Sequence, residues 1–141
     1  MEDMAFRFER DVLMPKPETV IILGGSNDVF WGDISCSMTV SFLEQMVASA
    51  IDNKVRPVIG IPMPIDDPIA GPKLELLIRG YHRIATELML PILDFRTPFT
   101  EVDTGRIREE LYLDGCHPNL MGYRVMGETA VHFFRTKQSG L

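Results

Sequence analysis

Three short apolar runs constrain the fold of this chain more than any other feature. Residues 19–23 read Thr-Val-Ile-Ile-Leu, a continuous β-branched stretch bounded by turn residues. Such a run suits a strand buried on both faces within a parallel sheet. Residues 56–61 form a second run, with Pro57 tolerable only near its start, and residues 91–95 a short third. Helical patterns separate them. Over residues 39–53, Val40, Leu43, Val47 and Ile51 fall on one stripe. Pro72 fits a first helical turn, and Leu74, Leu77, Ile78, Tyr81, Ile84 and Leu88 then mark a long amphipathic helix. Asn119 can cap a last helix running to about Arg135, with Met126, Ala130 and Phe133 inward. A short helix over residues 4–13 precedes the first strand, with Ala5, Phe8 and Val12 on one side, and Pro15 and Pro17 end it. Residues 29–37 read as irregular. So do residues 62–71, a proline-rich loop, and residues 97–114, apart from a helical piece near 105–111. Residues 136–141 read as a frayed tail.

Strands alternating with helices long enough for right-handed crossovers predict an α/β fold, with a parallel sheet and helices on its faces. The 141 residues suit one domain, 1–141, with one core. If residues 19–23 lie at the edge of so small a sheet, their backbone and apolar faces are exposed. A second copy of the chain, giving a homo-oligomer through that edge, or a rearranged N-terminus is then the physical remedy.

Hydrophobic residues at 45% and charged residues at 24% describe a foldable chain. The net charge of −6 repels phosphate backbones and argues against a nucleic-acid partner. No apolar run is long enough for membrane insertion, and the acidic Glu2 and Asp3 offer no basic leader segment. Cys36 and Cys116, the two cysteines, read as reduced thiols, and the expected location is the cytoplasm. No His/Cys spacing suggests a metal, and the glycine pair lacks the lysine and spacing of a phosphate loop, so no cofactor is expected.

Open parallel sheets bind ligands beyond the carboxyl ends of their strands. Two polar clusters fall there: Gly24-Gly25-Ser26-Asn27-Asp28 after the first strand, and Asp114-Gly115-Cys116-His117-Pro118-Asn119 before the last helix. Asp114, three positions from His117, can fix one imidazole nitrogen and leave the other as a base toward a hydroxyl. The local alternative is a turn stabilised before a helix. Asn27 can donate its amide to a developing oxyanion, or serve an Asx-turn. Asp28 suits bonds to loop amides, and the glycines suit a tight turn.

These two segments resemble the third and fifth conserved blocks of the SGNH/GDSL esterase and lipase (acylhydrolase) family: Gly25-Ser26-Asn27-Asp28 is similar to its Gly-x-Asn-Asp block, and Asp114 to Pro118 to its Asp-x-x-His-Pro block. The resemblance implies a flavodoxin-like three-layer α/β/α sandwich with five parallel strands, here truncated at the N-terminus to a single partial domain. It implies hydrolysis of carboxylic esters without metal or organic cofactor, the partner being a small ester substrate. Asn27 matches the oxyanion asparagine, His117 the general base, Asp114 its carboxylate, and Gly25 the glycine of the block. The family's Gly-Asp-Ser block, which supplies the nucleophile, has no counterpart: 24 residues precede Gly25, and none is serine. Ser26 is the nearest substitute, although its place between Gly25 and Asn27 changes its direction. Ser35, Ser37 and Ser41 lack a nucleophile context, and Cys116 reads as a packing residue. The expectation is an acylhydrolase impaired in this chain. The alternative is a non-catalytic remnant that self-associates or binds.

Overall fold

The computed structural model of the chain describes residues 1–30 and 35–138. Helix α1 (Glu2–Phe8) runs directly into one π-helical turn, Glu9–Leu13, so the first helix begins two residues before its expected start. Strand β1 (Thr19–Ile22) leads to α2 (Cys36–Asp52), β2 (Arg56–Ile61), α3 (Ala70–Glu87), β3 (Ile92–Asp94) and α4 (Leu120–Gln138). Short 3-10 turns at Thr97–Phe99 and Glu109–Leu111 punctuate the loop before α4. Part of the irregular segment expected over residues 29–37 lies outside the described residues.

The described strands form one parallel sheet in the order β1-β2-β3, three of the five that the resemblance implies. The pleat sends alternate residues of β2 to opposite faces. Ile59 and Ile61 meet Leu43, Met46 and Val47 of α2 and Leu74, Leu77 and Tyr81 of α3. Val58 joins Leu93 and Phe95 against Met126, Ala130 and Phe133 of α4. The result is a three-layer α/β/α sandwich with α2 and α3 on one face and α4 on the other.

Two expectations change. Residues 19–23 read as buried on both faces, yet β1 takes the edge place that the reading also offered and Ile21 is 39% exposed. On α2 the buried set is Thr39, Leu43, Met46, Val47 and Ala50, while Ile51 is 45% exposed. Val40, Leu43 and Val47 do face inward, Val40 against Gly80 of α3, and packing buries Met46 and Ala50 in place of Ile51.

The helices that feed β2 and β3 end alike. Beyond α2, Lys54 has φ +60° and the Val55 amide donates to the Ala50 carbonyl at 2.9 Å. Beyond α3, Met89 has φ +53° and the Leu90 amide donates to the Ala85 carbonyl at 2.8 Å. Both are Schellman closures built without the usual glycine. Lys16, ahead of β1, also has a positive φ of 55°. All three residues lie at the amino end of the sheet.

Candidate active site

The loops after β1 and β2 leave a parallel sheet at the same, carboxyl end. The turn around His117 is tied to the second of them. The Asp66 amide donates to the Gly115 carbonyl at 2.9 Å, and the buried Tyr112 hydroxyl donates to the Pro64 carbonyl at 2.7 Å. Gly115 takes φ +76°, and a Cβ there would stand 3.1 Å from that of Asp66. Asn119 holds the other side. Its Nδ2 donates to the carbonyls of Glu110 (2.8 Å) and Tyr112 (3.2 Å), while its Oδ1 caps α4 through the Gly122 amide at 3.0 Å.

Within this frame Asp114 divides its carboxylate. Oδ1 accepts the amides of His117 at 2.7 Å and Cys116 at 3.0 Å. Oδ2 stands 2.8 Å from His117 Nδ1. These bonds hold the Asp114 carboxyl down at about 2, the His117 amide contributing most, then its ring, then the Cys116 amide. An ionised carboxylate only accepts, so His117 Nδ1 carries the hydrogen and Nε2 holds the lone pair of the neutral ring. Nε2 has no partner among the described residues. Both side chains are exposed, which leaves Nε2 reachable from solvent. Asp114 also lines a cavity of about 280 Å³ with Asp66, Glu109, Tyr112 and Leu113.

The loop after β1 is moulded from beneath by α3. Gly25 is buried with φ +101°, and a Cβ there would lie 2.5 Å from Leu77 Cδ2 and 2.6 Å from the Tyr81 hydroxyl. No side chain fits. Ser26 is half-buried and Asn27 exposed, and neither side chain has a hydrogen-bond partner among the described residues. The Asn27 carbonyl accepts the Phe30 amide at 3.1 Å, closing a turn. The Asp28 carboxylate, nearly buried, accepts from the Met1 nitrogen at 2.8 and 3.0 Å, and among the described residues it accepts from no loop amide. Residues 23–28 border a cavity of about 470 Å³ together with Glu2, Asp3 and Met4.

The structure thus joins Asp114 to His117 directly and sets Asn27, Ser26, Gly25 and Asp28 on a second loop at the same end of the sheet. No described hydrogen bond links the two groups. Tyr81, Tyr112 and Asp66 are supports that sequence reading did not single out. Tyr81 reads only as one member of an apolar stripe and Tyr112 falls in a segment read as loop, and their hydroxyl partners lie 57 and 48 positions away. Cys36 and Cys116 are unpaired and half-buried. Among the described residues no group of three or more His, Cys, Asp or Glu is placed to hold a metal, and no helix is long and apolar enough to cross a membrane.

Solved structures share this architecture. A GDSL-like lipase from Bacteroides thetaiotaomicron superposes with TM-score 0.85 at 23% identity, covering 96% of this chain and 71% of that one. A protein described as lipolytic and of the G-D-S-L family, from Desulfitobacterium hafniense, gives TM-score 0.83 at 27% identity, covering 94% and 74%. The acetylxylan esterase Axe2 of Geobacillus stearothermophilus gives 0.80 at 23% identity, covering 94% of this chain and 66% of its own. No curated protein shows significant similarity to the chain. The family model of the GDSL-like lipase/acylhydrolases matches residues 2–125. With both the fold and most of its length accounted for in this way, the chain belongs to the GDSL-like lipase/acylhydrolase family.

Proposed function

We propose that the chain is a carboxylic-ester acylhydrolase in which His117 is the general base, Asp114 orients it and Asn27 donates to the developing oxyanion. The observation that carries this reading is the 2.8 Å contact between Asp114 Oδ2 and His117 Nδ1, which leaves the Nε2 lone pair without a partner among the described residues at the carboxyl end of the sheet. Asn27, with its side-chain amide unspent among the described residues, stands on a loop at that same end. The acetylxylan esterase among the similar structures supports an ester substrate.

In this mechanism a hydroxyl gives its proton to His117 Nε2 while its oxygen attacks the ester carbonyl. The Asn27 amide receives the negative charge on the tetrahedral oxygen. Collapse expels the alcohol, which takes the proton back from His117, and water repeats the sequence to release the acid. The sequence contains no Gly-Asp-Ser triplet, and the hydroxyl nearest to Asn27 along the chain is that of Ser26. The rate expected of this single partial domain is therefore well below that of a full triad. Two unpaired thiols fit a cytoplasmic location.

The test is hydrolysis of p-nitrophenyl acetate by the full chain. Loss of activity in His117→Ala, and a fall on the order of 10²-fold in Asn27→Ala, are expected. Hydrolysis indifferent to His117 sinks the reading. Labelling with a fluorophosphonate followed by peptide mapping decides whether Ser26 is the nucleophile.

A second reading, a non-catalytic protein that self-associates, is favoured by one observation. The free edge of β1 borders a groove of about 240 Å³ whose walls include Phe8, Val12, Val20 and Ile21. A second copy adding a strand there would satisfy the open backbone.

A further inference from the structure

Tyr81 is wholly buried, and the recorded partner of its hydroxyl is the Gly24 carbonyl, 3.1 Å away across 57 positions of sequence. A buried phenol needs such a partner, and a member of an apolar helical stripe can find one almost anywhere. Where this bond lands is what gives it meaning. It fixes the peptide plane between Gly24 and Gly25, and at Gly25 the phenol oxygen and Leu77 Cδ2 occupy the space that a Cβ would need. The left-handed turn and the hydroxyl therefore define one another. Two residues further on stands Asn27. Its side chain has no anchor within the described protein, so the backbone alone aims it. That backbone is held at one side by the Phe30 amide and at the other by Tyr81.

We propose that Tyr81 is a positioning residue for the oxyanion donor: by clamping the Gly24 carbonyl it sets the direction of the Asn27 amide. This inference rests on the acylhydrolase reading for its kinetic consequence, though not for its geometry. An unanchored donor loses its advantage over water when its loop drifts by an ångström. Phenylalanine keeps the ring in the core and removes only the clamp.

The test is a double-mutant cycle on the full chain, with p-nitrophenyl acetate as substrate and circular dichroism to verify folding. Tyr81→Phe is expected to lower kcat by about ten-fold with KM within about two-fold, since the clamp acts on a transition-state donor. In an Asn27→Ala background the same substitution is expected to change nothing, because the group it positions is gone. A purely structural hydroxyl would instead give equal effects in both backgrounds, and that result, or an unchanged kcat in the single variant, overturns the proposal.

A second measurement stands apart from catalysis. In proton–nitrogen spectra the two Asn27 side-chain amide protons are expected to shift and converge in Tyr81→Phe. Unchanged Asn27 resonances overturn the proposal even if hydrolysis proves independent of His117. In that case the acylhydrolase reading fails separately, and the spectra alone judge the clamp.

Discussion

Asp114 uses its two oxygens for two tasks. Oδ1 gathers the backbone of the turn and Oδ2 orients the ring of His117. The two readings open from sequence, a local turn and a catalytic pair, are therefore compatible at the level of atoms. The spacing of Asp114 and His117 was enough to suggest the pair, because three positions on a tight turn bring such side chains together. The role of Tyr81 was not legible, because its stripe on α3 reports a buried ring and says nothing about where a hydroxyl ends. Asp114→Asn puts an amide donor in place of an acceptor and turns the imidazole to the wrong tautomer, so the His117-dependent part of hydrolysis is expected to be lost, read as a kcat that falls to that of His117→Ala. The same variant tests a linkage. Folding lowers the Asp114 carboxyl from 3.8 to about 2, so its contribution to stability is full above pH 3.8 and is lost as pH falls through about 2. Thermal midpoints measured from pH 5 to pH 2 are expected to fall less steeply in Asp114→Asn than in the parent protein.

At the scale of elements, β2 was legible to the residue, since a short run rich in Val and Ile, between a helical pattern and a proline-rich loop, leaves little freedom. Helix faces were less so. On α2 Val40, Leu43 and Val47 pack inward as their stripe implies, whereas Ile51 fits that stripe as well as Ala50 does and the packing leaves it exposed. Helix ends were legible without a glycine signal: the patterns stop at Asn53 and Leu88, the observed C-caps of α2 and α3, although the closures themselves fall on Lys54 and Met89. Each such side chain costs about 1 kcal/mol in that conformation. Lys54→Gly is expected to raise stability by roughly 0.5 kcal/mol net of the extra freedom glycine gives the unfolded chain, read as a higher urea midpoint with unchanged slope. Asn119 works in the opposite direction. Asn119→Ala removes the α4 cap and two bonds to the preceding loop, and a loss of about 1–2 kcal/mol is expected by urea unfolding.

For the whole molecule, the strand–helix alternation of the sequence led to a three-layer parallel sandwich, because crossover handedness leaves few other arrangements. It left the place of β1 open between the centre and the edge, since burial on both faces and a place at the end of a sheet look identical in a run of Val and Ile. The edge carries its own prediction. If copies of the chain pair there, Ile21→Lys sets a like charge on each side of the junction, and sedimentation velocity is expected to show a shift from dimer to monomer. A sedimentation profile unchanged by Ile21→Lys removes β1 as the contact.

The two ends of the sheet obey different rules. At one, Gly25 leaves no room for a methyl group beside Tyr81, and Gly115 is crowded by Asp66, both glycines at positive φ. At the other, Lys16, Lys54 and Met89 carry exposed side chains through the same backbone region. Tolerance to mutation should therefore be polar along the strand axis, and laboratory evolution for heat resistance can work on the amino pole of this molecule without touching its chemistry.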